Sequence, residues 1–435
     1  MKGEIKINKQ ENIPSWIKLD NAATIYPSIL TKKYAAMFRI SATLYEKVDE
    51  NILYKALKNV IKRFPTFRYK LKMGLFWHYF KHIDGIPDIQ NDVKNPMLRI
   101  NFKENNNFMF RVRYFDKRIS VEYFHALTDG NGGLTFLLSL VCEYLKLKND
   151  IKVEYNNQIL NPNEKAKKEE YNDSFYKYAR GIGSLFKEKK AYHYKGTMEE
   201  GHLLNIITGI ISINEIKKKC TQYNCTITEF IVSLMILSLQ EIQEKENIKQ
   251  SNKKPIKISI PVDLRKIYKT NTMRNFSSYV NVFIETRYGH YSFEEIINQV
   301  KNQMNLMITE KNLNAKISGN VNLSKNYFIR LIPMFIKKHI ISFIEKLMGD
   351  RYCSSTFSNL GLIELPSDMQ KNIKELGVII GRSRGKPGSC SCVGFKSNLY
   401  ISFSRRIKEA EFERLFFTKL VQMNIGVEIE SNVGR

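Results

Sequence analysis

The sequence has no run of about 18 uninterrupted apolar residues, so no transmembrane helix is expected. Its opening, Met1-Lys-Gly-Glu-Ile-Lys, lacks the apolar core of roughly 7–15 residues that a secretory signal needs, and a cytoplasmic setting follows as the expectation. Cysteine is scarce: Cys142, Cys220, Cys225, Cys353, Cys390 and Cys392 are the six in 435 residues. Only Cys390-Ser-Cys392 is closely spaced, and a C-x-C without a second pair or a histidine partner makes a poor zinc site. Reduced thiols and no bound metal are therefore expected. Acidic residues are also in short supply, 43 Asp and Glu against 69 Lys and Arg, which leaves a net charge of +26. Such an excess invites a nucleic-acid reading. The lysines are spread along the chain and no nucleic-acid motif accompanies them, so the expectation is general surface charge and no nucleic-acid partner.

What is present suits a filled interior, with 43% hydrophobic and 12% aromatic residues. The length fits two domains of roughly 200 residues each. Met37 to Leu44 reads as a strand. Asp49 can cap a helix with Ile52, Leu53, Ala56, Leu57, Val60, Ile61 and Phe64 on one face, and Pro65 stops it. Phe108 to Tyr114 and Arg118 to Phe124 flank Phe115-Asp116-Lys117 as a hairpin. A helix from Leu134 to Leu147 follows the step Gly130-Asn-Gly132-Gly133. Residues 1–150 thus form one lobe, and the charged stretch 151–200 reads as a mobile, partly helical crossover. Residues 201–435 repeat the theme, with strands at Leu203 to Ile213, Ile256 to Val262 and Tyr279 to Glu285. Capping boxes appear at Thr226-Ile-Thr-Glu229 and Ser292-Phe-Glu-Glu295. A hairpin at Cys392 to Ser404, a helix around Glu409 to Met423 and a short strand near Val427 to Ile429 close the chain. This order implies α/β architecture, two lobes of mixed sheet covered by helices.

His125 stands out among the seven histidines. Period-2 alternation puts it on the face of Ile119, Val121 and Tyr123, where a strand gives way to a loop. Asp129 follows four residues later and Gly130 permits a tight turn. With an ordinary pKa near 6.5, imidazole is the usual side chain for removing a proton at neutral pH. The plain reading remains open from spacing alone: a histidine ending a strand, its ring held by a backbone carbonyl, and Asp129 capping the next helix.

The segment His125-Ala-Leu-Thr-Asp129-Gly130 resembles the His-x-x-x-Asp-Gly signature of the chloramphenicol-acetyltransferase-like superfamily, which also holds condensation domains. Three further stretches fall in that family's order. Leu19-Asp-Asn-Ala-Ala-Thr-Ile-Tyr26 is similar to the opening of bacterial alcohol-acetyltransferase-like members. Pro261-Val-Asp-Leu-Arg265 with Arg274-Asn-Phe-Ser-Ser-Tyr-Val-Asn281 resembles the second-lobe strand and its loop, and Ser358-Asn-Leu-Gly361 the strand at the lobe interface. The resemblance implies two similar lobes with an active-site tunnel between them. It also implies acyl transfer, with acetyl as one candidate group, from acyl-coenzyme A to an alcohol or amine, His125 serving as general base. Acyl-coenzyme A would be a co-substrate, no further cofactor is called for, and a basic surface suits its phosphates. The same resemblance makes Asp129 structural, with Arg265 as its candidate partner, brings the Gly130 backbone near the reacting centre, and offers Ser358 and Asn359 as tunnel lining or oxyanion donors. Phe124 stands where many condensation domains carry a second histidine, the plant branch's Asp-Phe-Gly-Trp-Gly is absent, and no attached carrier-protein domain is expected. These departures favour free acyl-coenzyme A over a carrier-bound donor. A stand-alone condensation-type enzyme and a non-catalytic lipid binder are the alternatives.

Two stretches stand outside that reading. Tyr327 to Lys346 sets Phe328, Ile332, Phe335, Ile336, Ile340, Phe343 and Ile344 among Arg330, Lys337, Lys338 and Lys346. Such a face suits core packing in the second lobe, the expectation here, with peripheral membrane contact as its other use. Gly381-Arg-Ser-Arg-Gly385 with Lys386-Pro-Gly388 is a basic, Gly-rich loop, expected as a solvated hairpin connection, with coenzyme A phosphates as the alternative contact.

Overall fold

Met37–Leu44 and Arg118–Phe124, rich in β-branched and aromatic residues, pair antiparallel from Met37 with Phe124 to Thr43 with Arg118. Phe110–Phe115 joins by the predicted hairpin, turning at Asp116 with φ of 48°. Ile89–Asn91 adds a parallel edge. On the opposite edge, Ile373–Ile380 pairs antiparallel with Met37–Leu44, completing the five-stranded sheet of the first lobe. The computed structural model describes residues 13–31, 34–183, 188–348 and 350–433; the opening hexapeptide and Lys187 lie outside them, as does the side chain of Lys346.

The span 201–435 is therefore not one block in space. Residues 373–380 belong to the first lobe, because Ile373, Leu376 and Val378 bury there and cover an otherwise unpaired strand edge. Ser391 and Ser404 of the second lobe donate to the carbonyls of Val378 and Ile380, at 2.8 and 2.7 Å. The second sheet has seven strands, in the order Ser277–Ile284, Ile256–Asp263, Ser355–Ile363, Gly388–Phe395, Asn398–Arg405, Asn205–Ser212 and Glu428–Ser431. Ser355–Ile363 runs parallel to both its neighbours. A third, three-stranded antiparallel sheet of Trp16–Lys18, His78–His82 and Tyr69–Met73 adds to the first lobe, and two hydrophobic cores, one beneath each of the two larger sheets, make this a two-lobed mixed α/β fold.

Helix starts follow their local chemistry. Asp49 accepts from Ile52 N to cap Glu50–Val60, and Thr226 and Ser292 each open a helix with a reciprocal capping box. The helix after His125 runs Gly130–Asn149, so the glycines expected as a loop form its first turn, with Asp129 as the cap. Two helices, Ile213–Gln222 and Glu310–Lys325, were not anticipated. In the crossover, Phe175 and Tyr178 pack on Phe276, at 5.2 and 5.7 Å between ring centres.

The Tyr327 stripe departs from expectation. It forms Tyr327–Leu331 and Met334–Met348, broken around Pro333. Met334 is buried, whereas Phe328, Phe335 and Phe343 are 80%, 61% and 62% exposed. Periodicity fixed one apolar face of this stretch, and that face points to solvent. Nor is the loop Gly381 to Gly388 a solvated hairpin connection. It carries the chain from the first sheet to the second, and Asp350 pins it by accepting from Ser383 Oγ, Gly385 N and Lys386 Nζ.

Candidate active site at the lobe seam

The strand Arg118–Phe124 is fixed from behind. Glu122, fully buried, accepts from Arg111 Nε at 2.5 Å and Arg39 Nη1 at 3.2 Å. Tyr123 donates its hydroxyl to Gly133 O at 2.7 Å, clamping the strand end to the start of the next helix. Between those two anchors the chain turns, and His125 N donates to Ala36 O at 2.8 Å. His125 is half-buried, with Tyr26 stacked on its ring at 4.7 Å and Phe38 at 5.1 Å.

Asn275, from the second lobe, orients the imidazole. Its Oδ1 lies 3.2 Å from His125 Nδ1. Its Nδ2 donates to Asp20 Oδ2 and Ala126 O, both at 3.4 Å, so the oxygen end is the one left for the histidine. Because Nδ1 faces an acceptor, it carries the proton, and Nε2 keeps its lone pair. Burial lowers the His125 pKa from 6.5, opposed by hydrogen bonds to its own backbone carbonyl and Asn275 and by the charge of Asp129. The ring is therefore neutral at pH 7. Burial also raises the Asp20 carboxyl to about 7, against the pull of Arg274.

Asp129 bolts the lobes together. Its Oδ1 accepts from Gly132 N at 3.2 Å and Arg265 Nη2 at 3.1 Å; its Oδ2 accepts from Arg265 Nη1 at 2.9 Å and Phe276 N at 2.8 Å. The Arg265 guanidinium is equally committed, also reaching Asp263 Oδ1, Thr272 O and Arg274 O, which uses all five of its N–H groups. Both side chains are buried. Thr128 Oγ1 donates across the same seam to Met273 O at 2.7 Å. A Cβ on Gly132 would stand 2.5 Å from that carbonyl oxygen and 2.2 Å from Thr128 Oγ1, so only glycine fits.

The strand Ser355–Ile363 passes beside Gly130, where a Cβ would meet Leu360 Cδ2 at 3.0 Å. A register break between Asn359 and Leu362 bends it there. The Asn359 amide is spent locally, accepting from Gly361 N at 2.7 Å and donating to Thr228 Oγ1 at 3.0 Å. Ser358 alternates with Phe357, which is buried in the second core, and so faces the first lobe.

Tyr26, Asp20, Asn275 and Thr128 were not singled out from the sequence, although all four lie in stretches that were. Their signal was polar or aromatic identity inside those short segments, and nothing local tied Tyr26, Asp20 or Asn275 to His125.

No protein-family model matches the sequence, and no curated protein does. Among solved structures, the chain is similar to the TRI3 trichothecene 15-O-acetyltransferase of Fusarium sporotrichioides, with a TM-score of 0.60 and 10% identity over 94% of each chain. Polyketide synthase associated protein 5 of Mycobacterium tuberculosis superposes with a TM-score of 0.61 and 13% identity, over 93% of this chain and 96% of that one. The chain has the fold of these proteins. TRI101 of F. graminearum, solved with coenzyme A and T-2 mycotoxin, shares it over 96% of this chain and all of its own, with a TM-score of 0.59 and 10% identity. In this fold the seam between lobes holds His125, Asn275 and the Asp129–Arg265 pair. Among the described residues no group of three or more His, Cys, Asp and Glu side chains is placed to hold a metal ion. No single helix among them is long and apolar enough to cross a membrane.

Proposed function

We propose that this chain transfers an acyl group from acyl-coenzyme A to an alcohol, with His125 as general base. The observation that carries the reading is the oriented imidazole: Nδ1 lies 3.2 Å from Asn275 Oδ1, an arrangement that leaves Nε2 to accept a proton, and burial favours the uncharged ring. The acceptor hydroxyl gives its proton to Nε2 as its oxygen attacks the thioester carbonyl. The tetrahedral intermediate collapses, the carbon–sulfur bond breaks, and the imidazolium returns the proton to the departing thiolate. Support for this class comes from the shared fold, since structures of that fold include O-acetyltransferases and one complexed with coenzyme A. Asp129 is the scaffold in this scheme, because four donors saturate its oxygens. Ser358 is the better candidate than Asn359 for polar help at the oxyanion, because the Asn359 amide is already committed.

Thiol release from a panel of acyl-coenzyme A donors, with and without alcohols and amines, tests the proposal. Release that depends on an acceptor and falls by about 10²–10⁴ in His125→Ala, with an unchanged circular-dichroism spectrum, is the expected result. Turnover that survives His125→Ala removes the base assignment. Turnover with carrier-bound thioesters alone points to a condensation-type enzyme, and ligand retention without turnover to a binding protein.

A further inference from the structure

We infer that the exposed apolar face of the helices Tyr327–Leu331 and Met334–Met348 docks on an anionic lipid bilayer. In Met334–Met348, positions 335, 336, 340, 343 and 344 recur at helical spacing and carry Phe335, Ile336, Ile340, Phe343 and Ile344, all exposed. The opposite side is the one that holds the protein, through buried Met334. Met334 N donates to Leu75 O at 2.6 Å and Lys337 Nζ to Phe76 O at 2.9 Å. Those bonds place the helix against a loop whose own Leu75 and Trp77 are 67% and 50% exposed. The result is a joined apolar surface from two elements, beyond the scatter of single exposed hydrophobics ordinary on a protein.

Charge selects the partner. From Lys311 to Ile344 the chain has six Lys and Arg and no Asp or Glu, within a molecule of net charge +26. Lys325, Arg330, Lys338 and His339 are exposed around the apolar face. A basic rim around large apolar side chains is the arrangement that lies at the boundary of headgroups and acyl chains, cations on phosphate and rings below them. The face is also close to the candidate site: Met334–Met348 packs along Tyr26–Ile29, whose Tyr26 ring stacks on His125. Docking there turns that end of the seam toward the lipid.

Sedimentation of the full chain with vesicles tests this without reference to turnover. The expected result is binding to phosphatidylglycerol-containing vesicles and little to pure phosphatidylcholine, weakening as salt rises. Phe335→Ser with Phe343→Ser lowers partitioning by about tenfold or more. Arg330→Glu with Lys338→Glu lowers it by roughly fivefold per charge removed. His125→Ala binds like the parent, so failure of the acyl-transfer proposal leaves this result readable. No binding to anionic vesicles overturns the inference, as does binding that ignores both pairs of substitutions. Concentration-dependent self-association abolished by Phe335→Ser with Phe343→Ser, without vesicle binding, assigns the face to a second copy instead.

Discussion

Asp129→Asn isolates what one carboxylate does for the seam. A carboxamide fits the same space but keeps one accepting oxygen, and in either orientation its NH₂ points at two donors. The donors lost are Gly132 N with Arg265 Nη2, or Phe276 N with Arg265 Nη1. Arg265 is left with a buried charge short of its counterion. Removing one member of a buried ion pair costs about 3–5 kcal/mol. Asp263 still contacts the guanidinium at 2.9 Å and offsets part of that, so a loss at the lower end, about 3 kcal/mol, is expected.

Set against a typical total of about 5–15 kcal/mol, such a variant is weakened and still folds. Urea unfolding followed by far-ultraviolet circular dichroism reads the loss as a midpoint lower by about 1 M, for a slope of about 3 kcal/mol per M. Arg265→Met alone shows a comparable drop, because it strands Asp129 instead. The double variant Asp129→Asn/Arg265→Met loses less than the two singles together, since neither charge is then left unpaired. A midpoint unchanged in Asp129→Asn while turnover vanishes would refute the scaffold role and put the carboxylate in the chemistry.

The pH dependence follows from His125. Its lowered pKa means the base is neutral above the acid limb of kcat/KM, so activity falls only as pH drops below 6.5. The Asn275 hydrogen bond raises that pKa, so Asn275→Ala moves the limb lower still while kcat drops with the lost ring orientation; a limb above 6.5 in the parent contradicts the assignment. The glycines separate by what surrounds them. Gly132→Ala drives a methyl into Met273 O and Thr128 Oγ1 and should cost about 1–3 kcal/mol or more, whereas Gly130→Ala presses only on the tip of Leu360. Thermal unfolding of the two variants checks the order, and a larger drop for Gly130→Ala counts against it.

Local chemistry made much of both lobes legible. Met37–Leu44, the Asp116 hairpin and the capped helices at Asp49, Thr226 and Ser292 each depend on residues within a few positions of one another. The glycine step after Asp129 was misplaced by a turn, because glycine's low helix propensity outweighed a cap whose partner, Gly132 N, lies inside the helix. Ile373–Ile380 was missed because its partner strand is more than three hundred residues away. The Tyr327 stripe was misjudged for a different reason: a helical period states that one face is apolar and says nothing of which way that face turns.

The candidate site inherits both kinds of information. His125, Asp129 and Gly130 sit in one turn and were readable together. The contacts that orient them span the chain: Asn275 to His125 is 150 residues, Arg265 to Asp129 is 136, and Asn275 to Asp20 is 255. No spacing rule connects them; the seam does. From the same long-range bonds we expect that a cut near residue 200 leaves neither lobe self-sufficient. Residues 1–150 alone would present Met37–Leu44 as an open sheet edge, without Ile373–Ile380, and would leave Asp129 without Arg265. The two cores thus share a sheet edge and a buried ion pair, and the geometry around His125 rests on those shared contacts.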